Sequence, residues 1–208
     1  MPPVVTKQRG PYAKTAALRL KILETCLDMF GETGFHNMTM KDVAQRVGIS
    51  NTGLLHHFAS KDELLFGVLG LVDERRKRFF LSRGLGVLMV PEDIGEIKSL
   101  LQTLVTSELD PGLIELHSTL AAEATSPDHP AHESYRGRYK NLVTFFTEAF
   151  SALARDGELK TDMEPEALAA MFVALKDGLQ IQWLYERDTA RLERHINLFL
   201  RSFVNRIN

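Results

Sequence analysis

The chain has 208 residues, of which 44% are apolar and 25% are charged, and its net charge is −2. This composition is ordinary for a globular protein and the length is ample for a buried core, which excludes the disordered and fibrous classes. No stretch reaches the roughly 18–20 apolar residues of a membrane span, and residues 1–14 lack the apolar segment of a secretory signal. We therefore expect a cytoplasmic protein without a membrane partner, in which the single cysteine, Cys26, excludes an internal disulfide.

The charge is divided unevenly along the chain. Residues 1–80 carry a net charge of +4 and residues 81–208 a net charge of −6. A basic N-terminal half is suited to binding a polyanion, whereas an acidic C-terminal half is repelled by it. The asymmetry also arises by chance, so it only supports the motif described below.

Apolar residues recur at helical spacing almost everywhere, which predicts an all-α fold of about nine helices. The first helix is expected from Lys14 to Thr33, with Gly34 as its C-terminal cap. Its buried face carries apolar residues at steps of three and four, with Cys26 as a small buried hydrophobe: Leu18, Ile22, Cys26, Met29 and Phe30.

Three helices are expected next. Thr39 and Asp42 form a capping box for a helix over Met40–Val47, and Ser50 or Asn51 begins a helix that runs to about Phe58. Ser60 and Glu63 form a second capping box, for a helix from Lys61 to about Arg83. The segment from Gly84 to Pro91 is the best hinge candidate. The remaining helices are expected over Pro91–Ser107, Pro111–Thr125, Pro130–Arg155, Pro165–Glu186 and Thr189–Ile207.

The segment from Met40 to Lys61 has the pattern of a helix-turn-helix. Such a motif needs a small-residue crossing, a tight turn and apolar residues that fix the second helix. The inner face comprises Val43, Ala44 and Val47, Gly48 allows the turn, and the underside of the second helix comprises Ile49, Leu54 and Phe58. The outward face comprises Asn51, Thr52, Leu55 and His56, with Gly53 leaving room near a base edge. A helix of this size fits the major groove of B-DNA.

This part of the chain resembles the DNA-binding domain of the tetracycline-repressor (TetR) family. The residues that carry the resemblance are the runs from Ile22 to Phe35, Met38 to Ala44 and Val47 to Ser50, followed by Leu54, His56, Phe58, Ser60, Lys61, Glu63 and Leu64. The resemblance implies a homodimer that places two recognition helices in successive major grooves of operator DNA. It implies a helix-turn-helix domain over residues 1–60, a connecting helix over 61–83 and a helical ligand-binding and dimerisation domain over 84–208.

The resemblance also implies which residues contact DNA. The contacts fall on Thr39, Ser50, Asn51, Thr52, Leu55, His56, His57 and Lys61. Leu55 stands where the family usually has tyrosine, so it either touches a thymine methyl group or only packs. Lys61 is also expected to contact phosphate because it begins a helix, where free N–H groups favour an anion. Lys7, Arg9 and Lys14 are either a basic tail or a further DNA contact.

The rear half is expected to bind a small molecule and a second copy of the chain. The last two helices are apolar on more than one face, which favours a symmetric four-helix contact through Leu179, Trp183, Ile196, Phe199, Leu200 and Phe203. A pocket for a largely apolar ligand is expected at Leu104, His117, Leu120, Phe145, Phe146, Phe172, Leu175 and Leu179, with Gln180 as a further polar contact. Ligand binding would then move the helix after residue 60 and release the operator, as in a repressor.

Two other classes remain as alternatives. A helical-bundle enzyme would need a metal or nucleophile motif, but His129, His132 and Glu133 lie in a proline-broken loop without the spacing of a zinc site. We therefore expect no enzymatic activity, no catalytic residue, no metal and no cofactor. A protein-interaction module without DNA binding is the second alternative, and the salt dependence of DNA affinity distinguishes it.

Overall fold

The computed structural model describes residues 11–82, 89–106 and 111–207 of the chain. Within these ranges the protein has nine helices and no strand, and one isolated bridge pairs Leu159 with Val204. The helices are α1 Pro11–Asn37, α2 Met40–Val47, α3 Asn51–Leu55, α4 Lys61–Ser82, α5 Ile94–Thr106, α6 Pro111–Glu123, α7 His132–Arg155, α8 Pro165–Glu186 and α9 Thr189–Phe203. The expectation of an all-α chain with about nine helices is confirmed.

The first helix is interrupted at Gly34. This residue has φ 79° and ψ 169°, a conformation that is essentially restricted to glycine. The predicted end of the straight helix at Thr33 is therefore confirmed, although helical residues continue after the break as far as Asn37. The helix also begins at Pro11, which precedes the predicted start at Lys14.

The caps of the next three helices explain their boundaries. The Thr39–Asp42 capping box begins α2, and Gly48 ends it in the left-handed conformation, as predicted. The recognition helix α3 is shorter than predicted, because the amides of His57 and Phe58 both donate to the Leu54 carbonyl and turn the chain towards α4.

Ser60 caps α4 through the Glu63 amide at 3.1 Å. The second half of this capping box differs from the prediction, since the Glu63 carboxylate accepts from the amide of Ala59 at 2.7 Å.

The rear helices follow the sequence prediction except at some ends. The start of α5 lies at Ile94 instead of Pro91, and the Asp93 side chain accepts from the Glu96 amide there. The predicted end of α9 at Ile207 is wrong, because Val204 is extended and pairs with Leu159. The hinge candidate cannot be compared in full, since residues 83–88 lie outside the described ranges.

The buried apolar side chains form two cores. One core joins α5, α7, α8 and α9, and its largest members include Phe150 and Phe172. The other joins α1 to α4 with α6, since Leu116 and Leu120 are fully buried against the N-terminal helices. Helix α6 contributes to both cores, since Ile114 lies in the C-terminal core and Leu116 and Leu120 lie in the N-terminal one.

Two further expectations concern the environment of the chain. Burial raises the pKa of the Cys26 thiol to about 12, so this residue is a small buried hydrophobe, as expected, and not a reactive thiolate. Among the described residues, no helix is both long enough and apolar enough to cross a membrane.

Candidate DNA-binding surface and effector cavity

The helix-turn-helix is built around a sharp turn between α2 and α3. Val43, Ala44 and Val47 of α2 are buried. Gly48 has φ 83° and ψ 36°, and its amide donates to the carbonyls of Ala44 and Gln45. This left-handed cap satisfies the end of α2 and redirects the chain, which glycine does at the least conformational cost. The predicted inner face and turn are confirmed.

The recognition helix exposes the side chains that the sequence analysis placed on its outward face. Asn51, Thr52, Leu55 and His56 are exposed, whereas Leu54 is fully buried. Ser50 caps the helix, with its hydroxyl accepting from the Gly53 amide at 3.0 Å. The predicted underside is confirmed as well, since Phe58 is fully buried and Ile49 packs on the same core.

Two basic residues of α1, which sequence reasoning missed, hold the ends of these short helices. Lys21 Nζ donates to the Val47 carbonyl at 2.9 Å, and Arg19 Nη1 donates to the carbonyl of His57. The Arg19 guanidinium also lies 4.0 Å from the centroid of the Phe58 ring. Each cation thus sits where a helix terminus presents unsatisfied carbonyl groups and partial negative charge. The sequence shows the need for such donors, but it does not say which residues provide them.

The predicted phosphate anchors Thr39 and Lys61 both have partners inside the protein. The Thr39 hydroxyl donates to the Asp42 carboxylate at 2.6 Å, and these hydrogen bonds lower the pKa of that carboxyl. Lys61 Nζ donates to the carbonyls of Met38 at 2.9 Å and His36 at 3.3 Å. An ammonium group has three donors, so two internal bonds leave one for a phosphate. Phosphate contact by Lys61 stays a prediction, beside a structural role that the sequence did not indicate.

A carboxylate of α6 binds the end of α1. Glu123 accepts from the amide of Phe35 at 2.8 Å and from that of His36 at 3.4 Å. A Cβ atom added at Gly34 would lie 2.4 Å from Glu123 Oε1, so glycine is also required for this close approach. His129 is buried beside this contact, with Nε2 at 3.8 Å from the Glu123 carboxylate. The junction fixes the end of α6 to the end of α1, next to the helix-turn-helix.

A half-open cavity of about 640 Å³ lies between α4, α6 and α7. Its apolar wall includes Leu69, Val72 and Leu142. Its polar wall carries both carboxylates and cations: Asp73, Glu74, Arg76, Lys77, His117, Glu133, Tyr135, Arg138 and Asn141. The Tyr135 hydroxyl and His117 Nδ1 are 3.1 Å apart, and burial raises the pKa of Tyr135. A cavity of this size fits a small organic ligand.

The residues predicted to line a ligand pocket are divided between several places. His117 does line this cavity. Phe145, Phe146, Phe172 and Leu179 lie in the C-terminal core with Leu175 packed against it, and Leu120 lies in the N-terminal core. The aromatic rings pack edge to face, with the Phe146 and Phe172 centroids 4.8 Å apart. The side chain of Leu104 lies outside the described residues.

The residues predicted for the dimer interface lie largely inside the protomer. Leu179, Trp183, Ile196 and Leu200 are buried in the C-terminal core, and Phe199 and Phe203 pack partly buried against it. The outer surface of α8 and α9 instead exposes other apolar side chains: Met171, Ile181, Tyr185 and Leu198. Periodicity located the apolar helices correctly, but it does not show which of their faces the protomer itself buries.

The loop histidines have structural partners. His132 Nδ1 lies 2.8 Å from the Ala124 carbonyl, and His129 Nδ1 accepts from the Ala131 amide at 3.1 Å. In the part of the chain that the structure describes, no three His, Cys, Asp or Glu residues form a group that could hold a metal ion. Of the predicted basic tail, Lys14 is exposed on α1, and Lys7 and Arg9 lie outside the described residues.

A short, capped and exposed recognition helix on an all-helical frame defines a helix-turn-helix DNA-binding protein. Residues 22–68 match the family model of bacterial regulatory proteins of the tetR family, and residues 97–207 match that of the C-terminal part of BetI-type transcriptional repressors. The chain therefore belongs to the TetR family, with a C-terminal half of the BetI type. It is a DNA-binding transcriptional regulator, which is a class of non-enzymes, and its family typically responds to ligands.

Similar proteins extend over most of the chain. The transcriptional repressor KstR2 of Rhodococcus jostii is 26% identical over 182 residues, which are 83% of this chain and 76% of that protein. The transcriptional regulator UidR of Escherichia coli is 28% identical over 153 residues, 74% of this chain and 72% of that protein. A transcriptional regulator of Saccharomonospora viridis, solved in complex with choline, has the same fold, with a TM-score of 0.74 and 24% identity over 92% of this chain and 100% of that one.

Proposed function

We propose that the chain is a homodimeric repressor that leaves its operator when a small molecule enters the cavity between α4, α6 and α7. The observation that carries the proposal is that one helix, α6, contacts both the cavity and the end of α1 beside the helix-turn-helix. His117 of α6 lines the cavity, and Glu123 at the end of α6 binds the α1 terminus next to the helix-turn-helix. The protein would act by binding alone, in the cytoplasm, where a bacterial regulator meets its DNA.

The proposed DNA contacts come from the exposed face of α3 and its flanks. Asn51, Thr52 and His56 offer hydrogen-bonding groups to base edges, and Leu55 offers an apolar contact to a thymine methyl group. Ser50, Thr39 and Lys61 would contact phosphates in addition to their internal hydrogen bonds. His57 is half-buried and contributes its carbonyl to Arg19, so its ring lies at the edge of this surface.

The proposed dimer contact is the exposed apolar face of α8 and α9. Met171, Gly178 and Tyr185 follow one another at seven-residue spacing on α8, and Ile181 lies between them on the same face. Tyr185 is 87% exposed, which is unusual for a large side chain on a face with other apolar residues. A dimer formed through this face must place its two recognition helices about 34–36 Å apart to reach successive major grooves.

The proposed coupling passes through the close crossing of α1 and α6. A Cβ atom added at Gly31 would lie 3.1 Å from Glu115 Cβ, and Thr119 donates to the Gly31 carbonyl at 3.3 Å. Helices this close transmit a displacement directly, since no side chain between them can absorb it. A ligand that binds better to the displaced state weakens DNA binding by that difference in affinity.

Selection of genomic DNA fragments by the purified protein tests the proposal. The native protein is expected to enrich a near-palindromic site, and Asn51→Ala/His56→Ala is expected not to. Lys140→Ala, an exposed change on α7, serves as the matched control and should enrich the same site. Affinity for that site should fall steeply with salt, because phosphate contacts release bound counterions. If the native protein enriches no fragment at low salt, the repressor proposal fails and a protein-interaction module takes its place.

A further inference from the structure

The wall of the cavity contains a cationic nitrogen without a partner. Arg138 of α7 lines the cavity, and its Nη1 atom is buried and has no hydrogen-bond partner among the described residues. A buried guanidinium nitrogen without an acceptor is unfavourable, because it has lost its water and gained nothing in exchange. Such a group therefore marks a place where an acceptor belongs.

The cavity wall also carries the carboxylates of Asp73, Glu74 and Glu133, but none of them is hydrogen-bonded to Arg138 Nη1. The side chain of Arg76 is 19% exposed and is paired with Asp73 at 3.0 Å. Glu133, which also lines the cavity, is paired with Arg136 at 2.6 Å. Both Arg76 and Arg138 act electrostatically on the buried Tyr135 hydroxyl and lower its pKa, against the larger effect of burial, so both lie near the same end of the cavity. That end carries two arginines, one of them paired with Asp73, beside the Tyr135 hydroxyl and the His117 imidazole.

We infer that the effector is an amphipathic carboxylate, whose carboxylate group is bound by Arg138 and whose apolar body lies against Leu69, Val72 and Leu142. A planar guanidinium matches the two oxygens of a carboxylate, and such bonds are about twice as strong as neutral ones. The inference rests on the proposed function and narrows its ligand. It also opposes a cationic ligand such as choline, since a quaternary ammonium is recognised by an aromatic cage and not by arginines.

Binding to the full-length protein tests the inference with a matched set of probes. The probes are hexanoate, octanoate, decanoate and benzoate, with decanol as the neutral analogue and choline as the cation, measured by isothermal titration calorimetry. At least one carboxylate should bind more tightly than decanol and choline. Arg138→Met, which keeps most of the apolar stem, should weaken that carboxylate by about 10- to 100-fold and leave decanol unchanged. Lys140→Met, an exposed change on the same helix outside the cavity lining, should alter neither.

The outcomes separate this inference from the proposed function. If no carboxylate binds at millimolar concentration, or if Arg138→Met binds carboxylates as well as the native protein does, the inference is wrong. If choline binds and Arg138→Met strengthens its binding, the effector is a cation and the inference is also wrong. If a carboxylate binds through Arg138 but leaves operator affinity unchanged, the site is correct and the proposed release mechanism fails. Loss of operator binding by Arg138→Met without ligand would instead show that Arg138 supports the fold, which overturns its assignment as a ligand-binding residue.

Discussion

At the scale of single residues, Gly34 is required by both its backbone conformation and its surroundings. Its φ of 79° and ψ of 169° are strained for any other residue, and an added Cβ atom would meet Glu123 Oε1 at 2.4 Å. We expect Gly34→Ala to lower the free energy of unfolding by about 1–3 kcal/mol from the backbone alone, with a further loss if the Glu123 contact breaks. Urea denaturation at neutral pH measures this change.

Gly48→Ala is the matched control for that substitution. Gly48 also has a positive φ, of 83°, but no atom lies within 4 Å of an added Cβ. Its cost should therefore be that of the backbone only, about 1–2 kcal/mol. Equal costs for the two variants would contradict the additional loss expected at Gly34 from the clash with Glu123.

The buried imidazole of His129 should make the protein less stable in mild acid. Burial lowers the pKa of His129; Glu123 and Asp62 act in the opposite direction, and His36 and Lys61 add to the lowering. The unfolded chain therefore binds a proton first as pH falls below 6.5, and stability is lost from there downwards. His129→Gln should reduce the loss of unfolding free energy between about pH 7.5 and 5.5, whereas His56→Gln, an exposed change, should not. An unchanged pH dependence in His129→Gln would contradict the prediction.

At the scale of helices, the stability of α2 depends on a lysine of another helix. Lys21 donates to the last carbonyl of α2, that of Val47, at 2.9 Å. Removing this charged donor should lower the free energy of unfolding by about 1 kcal/mol, because the carbonyl belongs to the negative end of the helix dipole. Lys21→Met is therefore expected to speed amide hydrogen exchange in α2 and α3. Lys14→Met, an exposed change on the same helix, should leave it unchanged; equal exchange in both variants would refute a capping role for Lys21.

The helices and their caps could be predicted from the sequence because both are local properties. The Thr39–Asp42 box, the turn at Gly48 and the start of α8 at Pro165 each depend on residues within four positions of one another. The end of α9 could not be predicted in this way. It depends on the pairing of Val204 with Leu159, which lies far away along the chain and leaves no periodic signal.

The DNA-binding face could be predicted because it is also a local property, whereas the cavity could not. The exposure of Asn51 and His56 follows from one short helix with a known buried side. The cavity brings α4, α6 and α7 together, so its lining is a tertiary property. Of the predicted pocket residues whose side chains the structure describes, only His117 lies there. Phe145 and Phe172 are apolar aromatic residues of the kind that lines ligand pockets, but in this protein they fill a packed core. Apolar composition alone does not distinguish a core from a cavity.

At the scale of the whole molecule, DNA binding should depend on a surface far from the recognition helix. Ile181 is 45% exposed on the outer face of α8, so Ile181→Glu should leave the protomer folded while placing an unpaired carboxylate in the proposed dimer contact. We expect this variant to sediment as a monomer with an unchanged circular dichroism spectrum, and to bind the selected operator at least about tenfold more weakly.

Lys140→Glu, which introduces the same charged group on the exposed surface of α7, should remain a dimer with native affinity. A dimeric Ile181→Glu would show that the second copy binds elsewhere. A monomeric variant with native affinity would show that one recognition helix suffices. Only the loss of both the dimer and the operator affinity supports the hypothesis that the two recognition helices bind two half-sites together. Linking two binding modules multiplies the affinity without any new contact to DNA, so separating them should remove that gain.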